Sequence, residues 1–177
     1  MDYFLLKQDE RYTNIPRLKD VFNKIDVRNI NLLNSHKIED IVVFKIKADK
    51  ETKFLDILDN QIFLISYEMS KILRKHDESI IFKTIPLIDE INKKQKNYCL
   101  PIFEEIEALS KNAQFNLNKT VVKKIILDKE KIQDKKIFKI KEIFKPLIVI
   151  RLDVAESLLR RNYKGISLER LEVEESH

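Results

Sequence analysis

The chain has 177 residues, 44% apolar and 36% charged, with a net charge of +5, four prolines, one cysteine and a single glycine. That length suffices for one domain with a real core. The longest apolar runs, such as Ile62–Ile65 and Leu147–Ile150, fall far short of a bilayer span, and one cysteine allows no disulfide framework. A lone glycine also excludes the phosphate cradles GxGxxG and GxxxxGK(S/T), so dinucleotide and P-loop nucleotide sites are ruled out.

The 29 acidic residues are spread among the 34 basic ones with no long basic block. The pattern suits a solvated surface of mixed charge better than a nucleic-acid footprint. The N-terminus, MDYFLLKQDERY, has an acid at its second position and no basic stretch before its apolar run. No secretory signal is expected, and the cytoplasm is the expected location.

In chain order, Tyr3–Lys7 reads as a first strand, followed by a turn to Pro16. In Arg17–Ile25, Leu18, Val21, Phe22 and Ile25 fall at i, i+3, i+4 and i+7, which predicts a helix with Asn14 as its cap. The segment 27–37 is irregular or a weak strand. Asp40–Lys47 is rich in β-branched residues and reads as a strand with Val43 and Ile46 half-buried. Phe54–Leu58 is ambiguous, and Ile62–Ile65 is a buried strand-like run.

Ser66 then caps a short helix whose apolar face is Met69, Ile72 and Leu73, with Glu68 in the first turn and Arg74 and Lys75 at its end. Ser79–Ile85 is a strand expected to stop near Pro86, with a turn and polar connector behind it. Asn97–Leu100 is a strand fragment before Pro101. Ile102–Leu109 carries Phe103, Ile106 and Leu109 at helical spacing. The Asn-rich stretch 110–120 is the best candidate for a mobile loop.

The last third holds the densest pattern. Val121–Leu127 is a strand, DKEKIQD a charged turn, Ile137–Lys141 an alternating strand and Leu147–Ile150 a buried run. Asp153 is the expected N-cap of a helix ending near Arg160 and Arg161. Gly165 suits a positive-φ turn, Ile166–Val173 reads as the last strand, and the terminal EESH as a frayed end. Residues Ile65–Ile81 and Ile150–Ile166 superpose at an offset of 85, with Ile65 on Ile150, Leu73 on Leu158 and Ile81 on Ile166. The expectation is an α+β fold: a mixed or antiparallel sheet with short helices and two related strand–helix–strand units. Residues 1–177 form one domain, divisible into an N-terminal lobe, 1–100, and a C-terminal lobe, 101–177.

No residue set points to catalysis, and the chain is not expected to be an enzyme. There is no CxxC, HExxH or paired-His spacing, so no metal and no cofactor are expected. Cys99, between Tyr98 and Leu100, reads as a buried structural cysteine. His36 and His76 read as exposed, and His177 is terminal. Ser35 beside His36 does not make a triad, because adjacency does not bring the side chains face to face. The carboxylate pairs Asp89–Glu90 and Glu104–Glu105 read as solvated faces. Lys136–Lys141 reads as an amphipathic strand and not as a base-stacking platform.

Two stretches, KKIILDKEKIQDKKIFKIK (Lys123 to Lys141) and IVIRLDVAESLLRRNYKGISLERLE (Ile148 to Glu172), resemble a bacterial immunity-protein family of polymorphic toxin systems. YFLLKQDERYTNIP and YCLPIFEEIEALS are similar to its Firmicutes members. Where many relatives have Ser just before the C-terminal helix, this chain has Arg151-Leu152, and Ser66 holds that cap in the first unit. The resemblance implies a small α+β domain that binds and neutralises a cognate toxin domain by protein–protein contact. For that contact the candidates are Arg11 and Tyr12, in the turn that begins at Glu10, and Arg28. The alternative is a nucleic-acid-associated module or a small α+β domain without enzymatic activity; no membrane association is expected.

Overall fold

A computed structural model describes residues 1–175, and in it strand residues outnumber helical ones. In chain order the elements are β1 (Tyr3–Gln8), β2 (Arg17–Leu18), α1 (Val21–Lys24), β3 (Phe44–Lys47), β4 (Ile57–Leu58), β5 (Leu64–Ser66), α2 (Tyr67–His76), β6 (Ile81–Asp89) and β7 (Lys94–Ile102). There follow β8 (Glu105–Ile106), β9 (Gln114–Phe115), β10 (Val122–Lys124), β11 (Ile126–Asp128), α3 (Lys129–Ile132), β12 (Ile137–Ile140), β13 (Ile148–Arg151), α4 (Leu152–Leu159) and β14 (Ile166–Glu174). They build two mixed six-stranded sheets, ordered β2-β3-β6-β7-β5-β4 and β11-β14-β1-β13-β12-β8, plus the small hairpin β9-β10. The residue 100/101 division falls inside β7, and β1 joins the second sheet.

The offset of 85 seen in the sequence holds in space. It carries the first residue of α2 onto that of α4, and β6 (81–89) onto β14 (166–174) residue for residue. The correspondence extends to neighbours. A parallel strand flanks each of these last strands, β3 on β6 and β11 on β14. An antiparallel strand flanks each first strand, β4 on β5 and β12 on β13. Between them runs β7 in one sheet and β1 in the other, with Tyr98 opposite Ser66 and Tyr3 opposite Arg151. The N-terminal strand thus fills in the second sheet the place that β7 holds in the first.

Both helices pack into one shared core. Met69, Ile72 and Leu73 of α2 meet Val154, Ala155 and Leu158 of α4, with Leu6, Ile65, Cys99 and Ile150 from the strands beneath. Leu73 and Leu158 are fully buried, each contributing about 2–3 kcal/mol of transfer free energy. The outer face of each sheet has its own core, around Phe44, Leu55, Leu87 and Tyr98 in one and Tyr3, Leu127, Phe138 and Val149 in the other. Strands buried on both faces need unbroken apolar runs, hence IFLI and LIVI in the sequence.

The caps of the equivalent helices differ. Ser66 Oγ accepts from Met69 N–H at 3.3 Å, as expected. Asp153 is not the cap of α4. The helix starts at Leu152, Arg151 holds the cap position without a side-chain cap bond, and Asp153 instead binds the Arg151 guanidinium at 2.8 and 2.9 Å.

Other expectations are corrected. The helix over Arg17–Ile25 reduces to α1, because Leu18 pairs in β2 and Asp20 turns the chain at φ +59°. Asn14 binds Asp49 and does not cap α1. Val43 is exposed while Phe44 and Ile46 are buried. β6 runs through Pro86, which falls between the isolated Ile41–Thr84 bridge and the β3 ladder that starts at Phe44–Leu87. The missing N–H is thereby confined to a gap in pairing. The polar connector is the tip of the β6–β7 hairpin, held by Asp89, which accepts from Ile91 and Asn92 N–H at 3.1 Å. Ile102–Leu109 is not helical but holds β8, parallel to β12. The stretch 110–120 contains β9, the strand over Val121–Leu127 is split into β10 and β11, and DKEKIQD contains α3, capped by Asp128.

Candidate binding groove between the sheets

An apolar concavity of about 540 Å³ lies between the sheets. One wall is the turn before β5, Asp59-Asn60-Gln61. It is pinned at both ends. The Gln61 amide pairs with Leu18, Oε1 accepting from its N–H at 2.7 Å and Nε2 donating to its carbonyl at 2.9 Å. Asp59 Oδ2 accepts from Gln8 N–H at 2.9 Å, and Gln8 Oε1 accepts from Asp59 N–H at 3.2 Å.

The facing wall is the turn before β13, and the offset of 85 maps Asp59–Phe63 onto Phe144–Ile148. Here Glu142 accepts N–H bonds from Ala108 at 3.2 Å and Leu109 at 3.0 Å. Ile143 is buried as the inward anchor. With its neighbours fixed, Phe144 is carried outward and stands 85% exposed, followed by exposed Lys145 and Pro146. Phe63 and Phe103 meet edge-on at the floor, ring centres 6.1 Å apart.

The third side is the segment after β2. Phe22 is 76% exposed there, although the helical spacing had placed it inward. Next to it Asp26 clips Arg28: Oδ1 accepts from the Arg28 backbone N–H and Nε, both at 3.0 Å, and Oδ2 from Nη2 at 2.8 Å. The Asp26 carboxyl is held below its ordinary range by these bonds. The guanidinium is fixed at the groove edge while the side chain stays largely exposed.

Lysines at the groove are mostly matched. Lys139 binds Glu105 at 2.6 Å, half-buried, and Lys141 reaches Glu107 at 3.3 Å. Together with Lys135–Glu104 these form a row of pairs along β8 and β12 and the residues flanking them. Glu104 and Glu105 are therefore paired, not simply solvated. Asp89 is buried in its turn, and Glu90 pairs with Lys45 at 2.9 Å.

Of the residues singled out in the sequence, Arg28 lines the groove; Arg11 and Tyr12 do not. Arg11 is clipped by Asp9 in the same way, Asp9 accepting from its backbone N–H and Nε at 3.0 Å and from Nη2 at 2.7 Å. Tyr12 is partly exposed in that turn. Ser35 Oγ donates to Leu32 O, away from any triad geometry with exposed His36. His76 is half-buried, not exposed, and burial lowers its basicity. Cys99 is buried, which pushes its thiol upward. His177 lies outside the described residues. Among the described residues no group of three or more His, Cys, Asp or Glu gathers to hold a metal, and no helix is long and apolar enough to cross a membrane.

Sequence reasoning missed Phe22, Phe144 and Lys145. The signal for Phe144 was local: Ile143 and Phe144 are adjacent just before a proline turn, so a buried Ile143 leaves Phe144 pointing the other way. Neither a protein-family model nor a curated protein sequence matches the chain.

Proposed function

We propose that this chain is an immunity-type binding protein that neutralises a cognate bacterial toxin domain by direct contact at the groove between the sheets, acting in the cytoplasm. The observation that carries this reading is the pair Phe22 and Phe144. Two aromatic rings are held largely in solvent, on turns fixed from behind by Glu142, Ile143 and Val21. Exposed aromatic anchors beside an apolar floor, edged by a clipped arginine, are the composition of a protein-binding hot spot. The two strand–helix–strand units read as an internal duplication, with the groove formed where equivalent turns meet.

The test is co-expression with the product of an adjacent toxin gene. The expected result is rescued growth and a one-to-one complex by size exclusion with light scattering. F144A is expected to weaken that complex by about 2 kcal/mol, roughly 30-fold in affinity. No rescue by the chain against neighbouring toxins, or full affinity in F144A, refutes the reading. The alternative, a nucleic-acid module, draws on the lysines between residues 110 and 145. Lys124, Lys129, Lys135, Lys139 and Lys141 are each paired with a glutamate, which weakens it. Salt-dependent RNA or DNA binding with a steep slope is its signature.

A further inference from the structure

The second sheet has an open edge at a place that the first sheet covers. Asp9 N–H donates to Gly165 O and Leu152 N–H to Asp2 O, so odd residues of β1 bond β14 and even ones bond β13. Ser167, Glu169 and Leu171 are therefore the β14 residues tied to β1. Ile166, Leu168 and Arg170 turn their N–H and C=O groups the other way. On that side β11 begins only at the Ile126–Glu172 pair. Among the described residues, no hydrogen bond engages the main chain of Ile166, Leu168 or Arg170.

In the first sheet the corresponding stretch is filled. Upstream of β3, the segment 40–42 lies parallel to β6, with Thr84 N–H donating to Asp40 O at 2.8 Å and Val42 N–H to Thr84 O at 3.0 Å. The next outward-facing position of β6, Pro86, has no N–H to leave unpaired. Upstream of β11 the chain instead peels away as β10 and pairs with β9. A cavity of about 510 Å³ opens between β10 and β14, with Leu5, Ile125, Ile143, Leu147 and Leu171 on its walls. Charge does not choose its occupant: Glu169, Arg170 and Glu172 at the rim are paired with Lys7, Asp2 and Lys124.

We infer that the open edge of β14 takes an extended segment of a partner protein, added as a strand opposite Ile166–Arg170 with an apolar side chain in the cavity beside it. The unpaired groups select this occupant. Their spacing along the strand fits another peptide main chain, as the segment 40–42 fits β6. Because β11 occupies the edge from residue 172 onward, the incoming strand is short. The inference goes beyond the groove reading and does not rest on it.

Amide exchange by NMR on the full chain reads the edge directly. Leu168 and Arg170 are expected to exchange roughly tenfold faster than Ser167 and Glu169, and equal protection overturns the open edge. For the occupant, the photoreactive p-benzoyl-phenylalanine replaces Val121, 57% exposed on the β10 side of the cavity, in the producing cell; the control position is Ile91, 79% exposed on the β6–β7 turn. The captured segment is mapped by mass spectrometry and made as a synthetic peptide. That peptide is expected to slow exchange at Leu168 and Arg170. It should bind the parent and Leu168→Ala alike, and Leu168→Pro roughly tenfold more weakly, because proline removes an outward N–H without touching the β1 ladder.

A peptide that binds without protecting those two amides, or that binds Leu168→Pro as well as the parent, overturns the inference. So does capture of a second copy of this chain or of nucleic acid, capture of the same segment at position 91, or no capture at position 121. Should Leu168→Pro fail to fold, the exchange pattern of the parent with the peptide decides alone. If the segment fits but belongs to a protein without toxic activity, the toxin reading falls and the edge assignment stands.

Discussion

Gly165, in the turn between α4 and β14, packs against Leu55 of the first half, and replacing it by alanine tests how tightly the two are fitted. Its φ is +78°, a region that costs a residue with a Cβ roughly 1–2 kcal/mol. An added Cβ also arrives 2.6 Å from Leu55 Cδ1 and 2.9 Å from Leu55 Cβ and Cγ. Leu55 is 1% exposed, in the outer core of the first sheet, and has little room to swing away. Overpacking at such a site costs about 1–3 kcal/mol. Backbone hydrogen bonds hold the same junction: Asp9 N–H donates to Gly165 O at 2.8 Å, and Asp56 N–H to Lys164 O at 2.9 Å. G165A is therefore expected to lose about 3 kcal/mol, or about 10 °C in Tm for a chain of this size.

Urea titration of G165A, L55A and the double variant separates the two causes. L55A alone costs about 2–5 kcal/mol through its cavity. In that background G165A is expected to cost only the backbone share, roughly 1–2 kcal/mol, because the obstructing side chain is gone. A G165A variant as stable as the parent refutes the left-handed turn and the close approach together. An equal cost in both backgrounds removes Leu55 from the explanation.

Three further outcomes follow from single contacts. Tyr98 Oη donates to Leu55 O at 2.7 Å, whereas Tyr3 Oη is buried without a partner among the described residues. Y98F is thus expected to lose about 1 kcal/mol and Y3F to be neutral or slightly stabilising; calorimetry giving the reverse order contradicts the hydroxyl assignments. E142A removes the acceptor for the Ala108 and Leu109 N–H groups. It is expected to cost about 1–3 kcal/mol and to raise hydrogen exchange at those two amides; unchanged exchange argues against the tether. The Arg151 guanidinium holds the Asp153 carboxyl at about 2, below its usual 3.8. Its contribution is complete above 3.8 and disappears as pH falls toward about 2. With the side chain 42% exposed, the effect stays below about 1 kcal/mol. The Tm gap between the parent and D153N should close across that window, and a gap that widens in acid contradicts the pairing.

Much of the strand pattern was legible because both faces of each sheet are covered. The runs around Ile62–Ile65 and Leu147–Ile150 had no competing reading as surface, and Ser66 marked its helix through one short side chain. Failures arose where spacing alone was decisive. Leu18, Val21 and Ile25 are all buried, yet Leu18 is reached from a strand and Phe22 is not buried at all. Phe103 and Leu109 are buried around a two-residue strand, not along a helix. Pro86 and Pro101 looked like strand ends, but each sits where a neighbouring ladder is absent: Pro86 in a gap, Pro101 beyond Cys99, the last β7 residue paired with β5. The groove had no local signature, because its walls come from segments near residues 22–31, 59–63 and 141–148 that are anchored in different cores: Ile25 in the outer core of the first sheet, Phe63 and Ile148 in the shared one, and Ile143 in the outer core of the second.

The equivalence of the two halves bears on the character of the groove. Turns at equivalent offsets, 59–61 and 144–146, both line it. They are not identical. Asp59-Asn60-Gln61 is polar and tied to β1 and β2, while Phe144-Lys145-Pro146 is apolar, cationic and tied to residues 108–109 through Glu142. The buried partners at the same offset, Leu73 and Leu158, keep the same side chain because each fills a closed site in one core. Difference is not confined to the turns: Ile85 and Leu87 of β6 are buried, whereas Arg170 and Glu172 at the same offset in β14 are exposed. At the groove, the unlike turns give one polar and one apolar side. On the binding role proposed above, a segment lying there would have the Asn60 and Gln61 amides on one flank and Phe144 with Lys145 on the other, and this inequality would favour one chain direction.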